Sequence, residues 1–173
     1  MKLRAVSTKV PPGAIELLTT LGVEGENGFG GTPVGSDPGK LDDWLYYCVH
    51  IAMSPPLSDD FVRQTNYWIT DDMGFVVGLV RIFPRISNAL LNKGGHFGYY
   101  VAPAHRRKGY GKAAIRLALD KLRSAGVKCA LVTVESHNTA SLSLIKAWGG
   151  VKEDERIDNE TGQAFCRFWL GTD

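Results

Sequence analysis

The order of the apolar segments predicts a mixed α/β fold in which a helix connects two central strands. Two runs rich in β-branched and aromatic residues, 65–70 and 75–83, flank a turn signal, which indicates a hairpin. Farther along the chain, apolar residues at helical spacing separate two more strand-like runs. With 173 residues and 44% hydrophobic content, the chain can bury one core, so we expect a single domain over 1–173.

The amino-terminal part is predicted to contain a short strand over 2–7 and a helix over 12–21. Glycine and polar residues dominate 22–39, which predicts a flexible, Gly-rich loop. A flap near a substrate and a plain surface connection are the two alternatives for this loop. Residues 40–53 then place their apolar side chains on one stripe at helical spacing, which predicts a second helix.

The carboxyl-terminal part alternates strands with helices. A strand is predicted over 96–102, and the helix that follows it spans about 110–126, since Gly126 is typical of a helix end. The nearly continuous apolar run 129–134 predicts a strand that is buried on both faces. A short helix over 139–148 follows, and two final strands lie on either side of the turn signal 158–162.

Composition excludes several classes of protein. The formal net charge of +2 gives no general case for nucleic-acid binding, and no apolar run approaches the roughly 20 residues of a membrane span. The amino terminus lacks the apolar core of a secretory signal. The three cysteines, Cys48, Cys129 and Cys166, are widely spaced, which predicts buried free thiols and a cytoplasmic setting. The four histidines show no metal-binding pattern.

A basic, glycine-rich turn lies between the strand at 96–102 and the helix that follows it. Three cations, Arg106 to Lys108, precede Gly109 and Gly111. The first turn of a helix presents unpaired N–H groups and the positive end of the helix dipole, which together attract phosphate. Glycine lets the backbone bend sharply and approach a ligand closely. A solvated surface turn is the alternative, but the combination of features favours phosphate binding.

Two common phosphate-binding motifs fit this turn poorly. The residues that a P-loop requires are missing. The dinucleotide pattern G-x-G-x-x-G/A is matched by Gly109, Gly111 and Ala114, and Glu135 ends the next strand, about where that motif has its ribose-binding acid. Six residues nevertheless separate the strand from the first glycine, and the amino-terminal half lacks repeated βαβ units.

A third motif fits more of the chain. The segment RRKGYG resembles the acyl-CoA-binding motif of the GNAT family of acetyltransferases, with Arg106, Gly109 and Gly111 in the matching positions. Residues 99–111 look like the family's fourth strand and pyrophosphate loop, and 131–150 are similar to its fifth strand and the next helix. Residues 94–99 resemble the Gly-Gly-His-x-Gly-Tyr segment of an uncharacterised bacterial subgroup. The resemblance implies a mixed, mostly antiparallel central sheet flanked by helices, with acetyl-CoA as the cofactor.

The resemblance also implies which residues contact CoA. The backbone N–H of Val101, near a bulge in the fourth strand, is expected to stabilise the oxyanion. Ile145 stands where many members have a tyrosine that protonates the CoA thiolate, and Gly150 stands where they have a phenylalanine. The remaining residues expected at the cofactor are Arg106, Arg107, Lys108, Gly109, Tyr110, Gly111, Lys112, Asn138 and Ser141.

Two residues are candidates for the general base that deprotonates an attacking amine. His96 is one, because imidazole titrates near neutral pH, and Glu135 is the other. The alternative for His96 is a structural hydrogen bond at the start of a strand. The alternative for Glu135 is a solvated side chain at the end of a strand. Arg81 and Arg85 could face an anionic acceptor, but exposed charges at a strand end are the preferred interpretation. The acidic residues that could attract a cationic amine, or simply be surface charges, are Asp42, Asp43, Asp59 and Asp60.

These features predict an acetyl-CoA-dependent N-acetyltransferase that acts on an amine of a small molecule or peptide. A non-catalytic acyl-CoA-binding or sensor domain is the first alternative, because the expected tyrosine is missing at Ile145. A dinucleotide-dependent oxidoreductase is the second. We expect neither nucleic acid nor a membrane as a partner, and the sequence leaves homodimer formation open.

Overall fold

A computed structural model describes residues 1–54 and 62–173 of the chain. The secondary structure within these ranges alternates strands and helices. Three short 3-10 turns lie at 33–35, 38–40 and 103–105. The strands are β1 Lys2–Ala5, β2 Thr65–Thr70, β3 Val76–Ile82, β4 Phe97–Val101, β5 Cys129–Glu135, β6 Val151–Ile157 and β7 Ala164–Gly171, and the helices are α1 Ala14–Leu21, α2 Leu41–Met53, α3 Asn88–Asn92, α4 Tyr110–Ser124 and α5 Thr139–Ala147.

The strands form two antiparallel sheets. The first has the order β1-β2-β3-β4 and the second has the order β5-β7-β6. Helix α4 connects the last strand of the first sheet to the first strand of the second. Period-two alternation then sends successive side chains of each strand to opposite faces.

Each face of the sheets is covered by different helices. One core cluster places α1 and α2 against the first sheet, with Trp44 packed on Trp68 at 5.5 Å between ring centroids. The other core cluster places the apolar stripe of α4 between the two sheets, and Ile115 and Leu122 of this helix are fully buried. Burial of these apolar stripes is the main source of stability for short helices, since isolated helices are marginal in water.

The two sheets meet at a seam formed by Gly94–His96 and Leu131–Thr133. The N–H of His96 donates to the carbonyl of Leu131 at 2.7 Å, and the N–H of Leu131 donates to Nδ1 of His96 at 2.9 Å. The N–H of Gly94 donates to Oγ1 of Thr133 at 3.1 Å. Beyond the seam, β4 and β5 form no ladder with each other in the described structure, so a gap opens between them.

Most predicted elements are confirmed. The predicted stripe of α4 is buried along its whole length, and Gly126 has the left-handed conformation expected of a residue at a helix end, with φ of 84°. Helix α3 was not predicted; Ser87 caps it by accepting a hydrogen bond from the N–H of Leu90 at 3.3 Å. The prediction for the cysteines was wrong at Cys129, which is exposed at the start of β5. None of the helices in the described parts of the chain could cross a membrane.

The predicted flexible loop at 22–39 has regular local structure. Glu26 and Phe29 exchange two backbone hydrogen bonds, of 3.0 and 2.9 Å, around Asn27 and Gly28. Both central residues have positive φ, 50° and 78°, as a type I′ turn requires. We call Glu26–Phe29 the covering turn, because its residues lie over the gap between the sheets.

The seam predicts a pH-dependent stability that depends on His96. Burial lowers the pKa of His96 below its ordinary value of 6.5, and a protonated Nδ1 could not accept the Leu131 N–H. The unfolded chain therefore binds the proton more tightly, so the free energy of unfolding should fall as pH falls below about 6.5. We expect His96→Ala to lower the free energy of unfolding by roughly 1–3 kcal/mol at pH 7.5, because the Leu131 N–H loses its acceptor.

Urea denaturation between pH 5 and 7.5 measures both effects, in roughly the range over which imidazole titrates. His50→Ala, at an exposed position of α2, is the matched control. If His96→Ala keeps the wild-type slope of stability against pH in this range, the seam does not depend on the neutral imidazole.

Candidate functional site

The gap between β4 and β5 is a cavity of about 630 Å³, which we call the main cavity. Backbone and side chains of both strands form its walls. The amino-terminal ends of α4 and α5 and the covering turn complete the lining. Phe29 of the covering turn also belongs to the core cluster of α1 and α2, so the main cavity borders the face of the sheet that carries these helices.

The predicted phosphate-binding turn has an unusual run of unpaired backbone donors. None of the six N–H groups of residues 107–112 donates to an acceptor in the described parts of the chain, and the first bond of the helix joins the N–H of Ala113 to the carbonyl of Gly109. Gly109 caps the helix in the left-handed conformation, with φ of 84°. Six free donors at the positive end of a helix dipole match the oxygens of a pyrophosphate.

The predicted cations of this turn point in different directions. Arg107 and Lys112 line the main cavity. The Nζ of Lys108 donates instead to the carbonyl of Ala104 at 3.0 Å, and Tyr110 packs beside His105. The side chains of Lys108 and Tyr110 thus point away from the main cavity.

Arg106 lines the main cavity and also contacts the covering turn. Its Nε donates to the carbonyl of Val101 at 3.0 Å, and its Nη2 lies 2.7 Å from Oε2 of Glu26. The guanidinium also lies over the ring of Tyr100, 5.7 Å from the centroid. Arg106 therefore connects the phosphate-binding turn to the covering turn.

The exposed edge of β4 offers hydrogen-bonding groups to the gap. The N–H of Phe83 donates to the carbonyl of His96, and the N–H of Ala102 donates to the carbonyl of Val77. In an antiparallel pair, hydrogen-bonded positions alternate, so β4 uses its even-numbered residues to pair with β3. The N–H groups of Tyr99 and Val101 consequently point toward β5, where no ladder pairs them in the described structure.

The position of Val101 fits the predicted oxyanion donor, but one expected detail is absent. The sequence resemblance implied a bulge in this strand near Val101. Residues 97–101 pair with β3 in an unbroken register. The register shifts in the described strands lie elsewhere: one is between β2 and β3, at Ile69 and Thr70, and the other is between β6 and β7. The donor at Val101 is exposed to the gap because its strand is an edge, without a bulge in the ladder.

The amino-terminal end of α5 brings the other predicted cofactor residues to the main cavity. Asn138 caps the helix, since its Oδ1 accepts from the N–H of Ser141 at 3.1 Å. This bond leaves the amide nitrogen of Asn138 without an acceptor in the described residues. The Oγ of Ser141 lies 2.8 Å from the hydroxyl of Tyr99, and Ile145 is buried one turn farther along the helix.

The two predicted bases lie next to the main cavity and do not line it. His96 is buried in the seam, where its Nδ1 is already an acceptor. Glu135 ends β5 with a side chain that is 17% exposed, and its Oε2 lies 3.5 Å from Nε2 of His137. A Cβ added to Gly28 of the covering turn would come within 3.3 Å of Oε1 of Glu135. Glycine at this position therefore leaves the carboxylate accessible from the cavity side.

Sequence reasoning missed the residues that close the main cavity. Glu26 and Phe29 lie in a loop without hydrophobic periodicity, so nothing indicated their contact with β4. The pair Asn27-Gly28 was the available signal, because Asn-Gly is a strong sequence for a type I′ turn. The acids at 42 and 43 are exposed in the first turn of α2, where acidic residues favour a helix, and Asp59 and Asp60 lie outside the described residues.

Comparison with known proteins agrees with this geometry. The sequence profile of the acetyltransferase (GNAT) family matches residues 40–149, which is more than half of the chain. No curated protein sequence matches the chain significantly.

Solved structures of acetyltransferases share the fold. The spermidine/spermine N-acetyltransferase SpeG from Vibrio cholerae is 19% identical, with a TM-score of 0.67 over 99% of this chain and 94% of that one. YncA, a putative acetyltransferase from Salmonella typhimurium solved with acetyl-CoA, is 18% identical, with a TM-score of 0.61 over 93% of this chain and 86% of that one. A putative phosphinothricin N-acetyltransferase is 18% identical, with a TM-score of 0.52 over 64% and 69%.

We expect Gly111→Val to weaken the binding of CoA by at least tenfold while the protein stays folded. An added Cβ would lie 3.1 Å from Leu144 and 3.5 Å from Tyr99, so a branched side chain would push these groups into the main cavity beside the free donors. Isothermal titration calorimetry with CoA measures the affinity. Gly171→Ala is the control, because a Cβ there meets open space outside the cavity. If a natively folded Gly111→Val protein bound CoA with unchanged affinity, CoA would not bind at this site.

Proposed function

Because the chain belongs to the GNAT family of acetyltransferases, we propose that it transfers the acetyl group of acetyl-CoA to an amine of a small molecule or peptide. The observation that carries this proposal is the run of six unpaired N–H groups at the start of α4, placed at one end of a cavity between two strand edges. Acetyl-CoA, when bound, supplies the acetyl group as a thioester. The remaining steps depend on residues of this chain.

The residues of the main cavity fit the parts of CoA in order. The free donors of residues 107–112 would hold the pyrophosphate, with Arg107 and Lys112 adding positive charge. The amide nitrogen of Asn138 and the free edge of β4 would hold the amide-rich arm. The N–H of Val101 would then face the thioester carbonyl and stabilise the negative charge that develops on its oxygen.

We propose Glu135, rather than His96, as the group that receives the proton from the acceptor. On the acceptor side, the charge of Glu26 is compensated by Arg106 at 2.7 Å. No lysine or arginine in the described parts of the chain lies within 4.0 Å of Glu135, whose neighbour there is the imidazole of His137 at 3.5 Å. A carboxylate without a lysine or arginine partner attracts an ammonium ion, and it can accept the proton through one water molecule, since it lies just behind Gly28.

The hydroxyl of Tyr99 is the proton donor that we propose in place of the missing tyrosine at Ile145. It lines the main cavity and is held by the Oγ of Ser141 at 2.8 Å. Burial raises the pKa of Tyr99, so the phenol keeps its proton at neutral pH. It could therefore give that proton to the departing thiolate, and Ser141 would steady the resulting phenolate.

Three finer expectations accompany this function. We infer that the Gly-Gly-His-x-Gly-Tyr segment marks a subgroup in which His96 holds the two sheets together. We also infer that the enzyme works in the cytoplasm. The similar structure from Vibrio cholerae is a spermidine/spermine N-acetyltransferase, which supports an amine as the acceptor class, and a homodimer remains a prediction.

The test is release of the CoA thiol from acetyl-CoA in the presence of a panel of amines. We expect wild-type turnover with at least one amine, and we expect Glu135→Gln to lower kcat/KM by roughly 10²-fold with loss of the acidic limb of the pH profile. Glu160→Gln, an exposed carboxylate in the β6–β7 turn, should behave like wild type.

Different failures have different meanings. CoA binding without thiol release for any amine would favour a non-catalytic acyl-CoA-binding protein. If Glu135→Gln retained the acidic limb of the wild-type pH profile, Glu135 would not be the base. The pH profile of His96→Ala would then distinguish His96 from a water molecule as the base.

A further inference from the structure

A second cavity, of about 570 Å³, lies on the face of the first sheet that carries α2. Its polar lining contains two cations, Lys40 and Arg81, and one acid, Asp43. Tyr47 and Gln64 add neutral hydrogen-bonding groups, with the Nε2 of Gln64 donating to the hydroxyl of Tyr47 at 3.3 Å. The described residues that line the second cavity therefore carry a net positive charge.

Arg81 is not the exposed strand-end charge that the sequence predicted. Its side chain lies in the wall of the second cavity, where its Nε donates to Oδ1 of Asn66 at 3.2 Å and its guanidinium covers the ring of Phe29 at 5.1 Å from the centroid. Asn66 is itself buried. Arg85, by contrast, is exposed as predicted.

The guanidinium of Arg81 forms no salt bridge in the described parts of the chain, although Asp43 lines the same cavity. The thiol of Cys48 is nearby, but burial raises its pKa to about 12, so it carries no charge at neutral pH. A cation that is taken out of water without a counter-ion is costly, and a ligand anion would remove that cost.

The second cavity adjoins the acceptor side of the main cavity. Arg81 on β3 lies directly opposite Gly98 on β4, and Gly98 lines the main cavity. Strands are about 5 Å apart, so one strand spacing separates the two cavities. The ring of Phe29 lies between them, since it covers Arg81 and would be 3.3 Å from a Cβ at Gly98.

The covering turn also relates the two charged groups on this face. A Cβ added to Gly28 would lie 3.3 Å from the carboxylate of Glu135, and one added to Gly30 would lie 3.6 Å from Nη1 of Arg81. Two residues of chain span at most about 7 Å. The carboxylate of Glu135 and the guanidinium of Arg81 therefore lie no more than roughly 15 Å apart.

We propose that the second cavity binds an anionic group of the acceptor, so that the acetylated amine belongs to a molecule that also carries a carboxylate or phosphate several bonds away. This inference rests on the proposed function, and it names the acceptor class. The guanidinium of Arg81 would hold the anion by two parallel hydrogen bonds, and Lys40 would add a second positive charge at the cavity mouth. A polyamine would place a cation beside Arg81 and Lys40, which disfavours it as the acceptor.

The test compares ω-amino carboxylates of increasing length with n-alkylamines of the same length and with the matching aminoalkyl phosphates. Binding to the CoA-saturated protein is measured by isothermal titration calorimetry, which does not require turnover, and KM is measured by thiol release. We expect one length of anionic amine to bind roughly tenfold to hundredfold more tightly than the alkylamine, the range for charge-assisted hydrogen bonds. The carboxylate and phosphate arms identify which anion fits.

Three variants test whether the tighter binding of the anionic amine, relative to the alkylamine, depends on the second cavity. Arg81→Met should abolish it, and Arg81→Lys should retain only part of it, because lysine lacks the planar fork. Lys40→Glu, at an exposed position, should reduce it. Arg85→Gln is the control and should keep the full advantage.

The outcomes are distinct. Equal binding of anionic amines and alkylamines, preference for a polyamine, or an advantage that survives both Arg81→Met and Lys40→Glu would overturn the proposal. Selective binding of an anionic amine without thiol release would support the second cavity as an anion site while rejecting the proposed enzyme activity.

Discussion

The reciprocal hydrogen bonding between His96 and Leu131 is the constraint on which the site depends. If β4 and β5 paired along their whole length, no gap would open between them. If they had no contact at all, the width of the cavity between them would not be fixed. The imidazole accepts the Leu131 N–H at the point where a strand partner would otherwise be required. The sheets are thereby joined at one end, and the edges of β4 and β5 remain free at the other, with their backbone groups available to a ligand.

The second feature that shapes the site is the covering turn, which contacts both cavities. Through Glu26 it holds Arg106 of the predicted phosphate-binding turn, and through Phe29 it separates the main cavity from the cavity of Arg81. In the function that we propose, the segment between α1 and α2 therefore takes part on both the cofactor side and the acceptor side of the site. Loops positioned by a rigid sheet commonly carry such functional residues.

Sequence patterns predicted the strands and all the described helices except α3, because these elements depend on local periodicity. A structural hydrogen bond was one of the two alternatives for His96, but its partner could not be predicted, since the contact with Leu131 joins residues far apart in the chain. The prediction of an exposed Arg81 was wrong for the same reason: its contact with Phe29 depends on the covering turn, whose position is set by long-range contacts. The charge of a side chain can be read from the sequence, but its counter-ion cannot.

Hydrogen exchange of the backbone amides with and without acetyl-CoA tests the central claim most directly. We propose that the free donors of residues 107–112 and the exposed edge of β4 bind the cofactor across the gap. Saturation with acetyl-CoA should therefore slow exchange at residues 107–112, at Tyr99 and at Val101, while the amides of β2 change little. Binding of acetyl-CoA with unchanged exchange at these amides would contradict this binding mode.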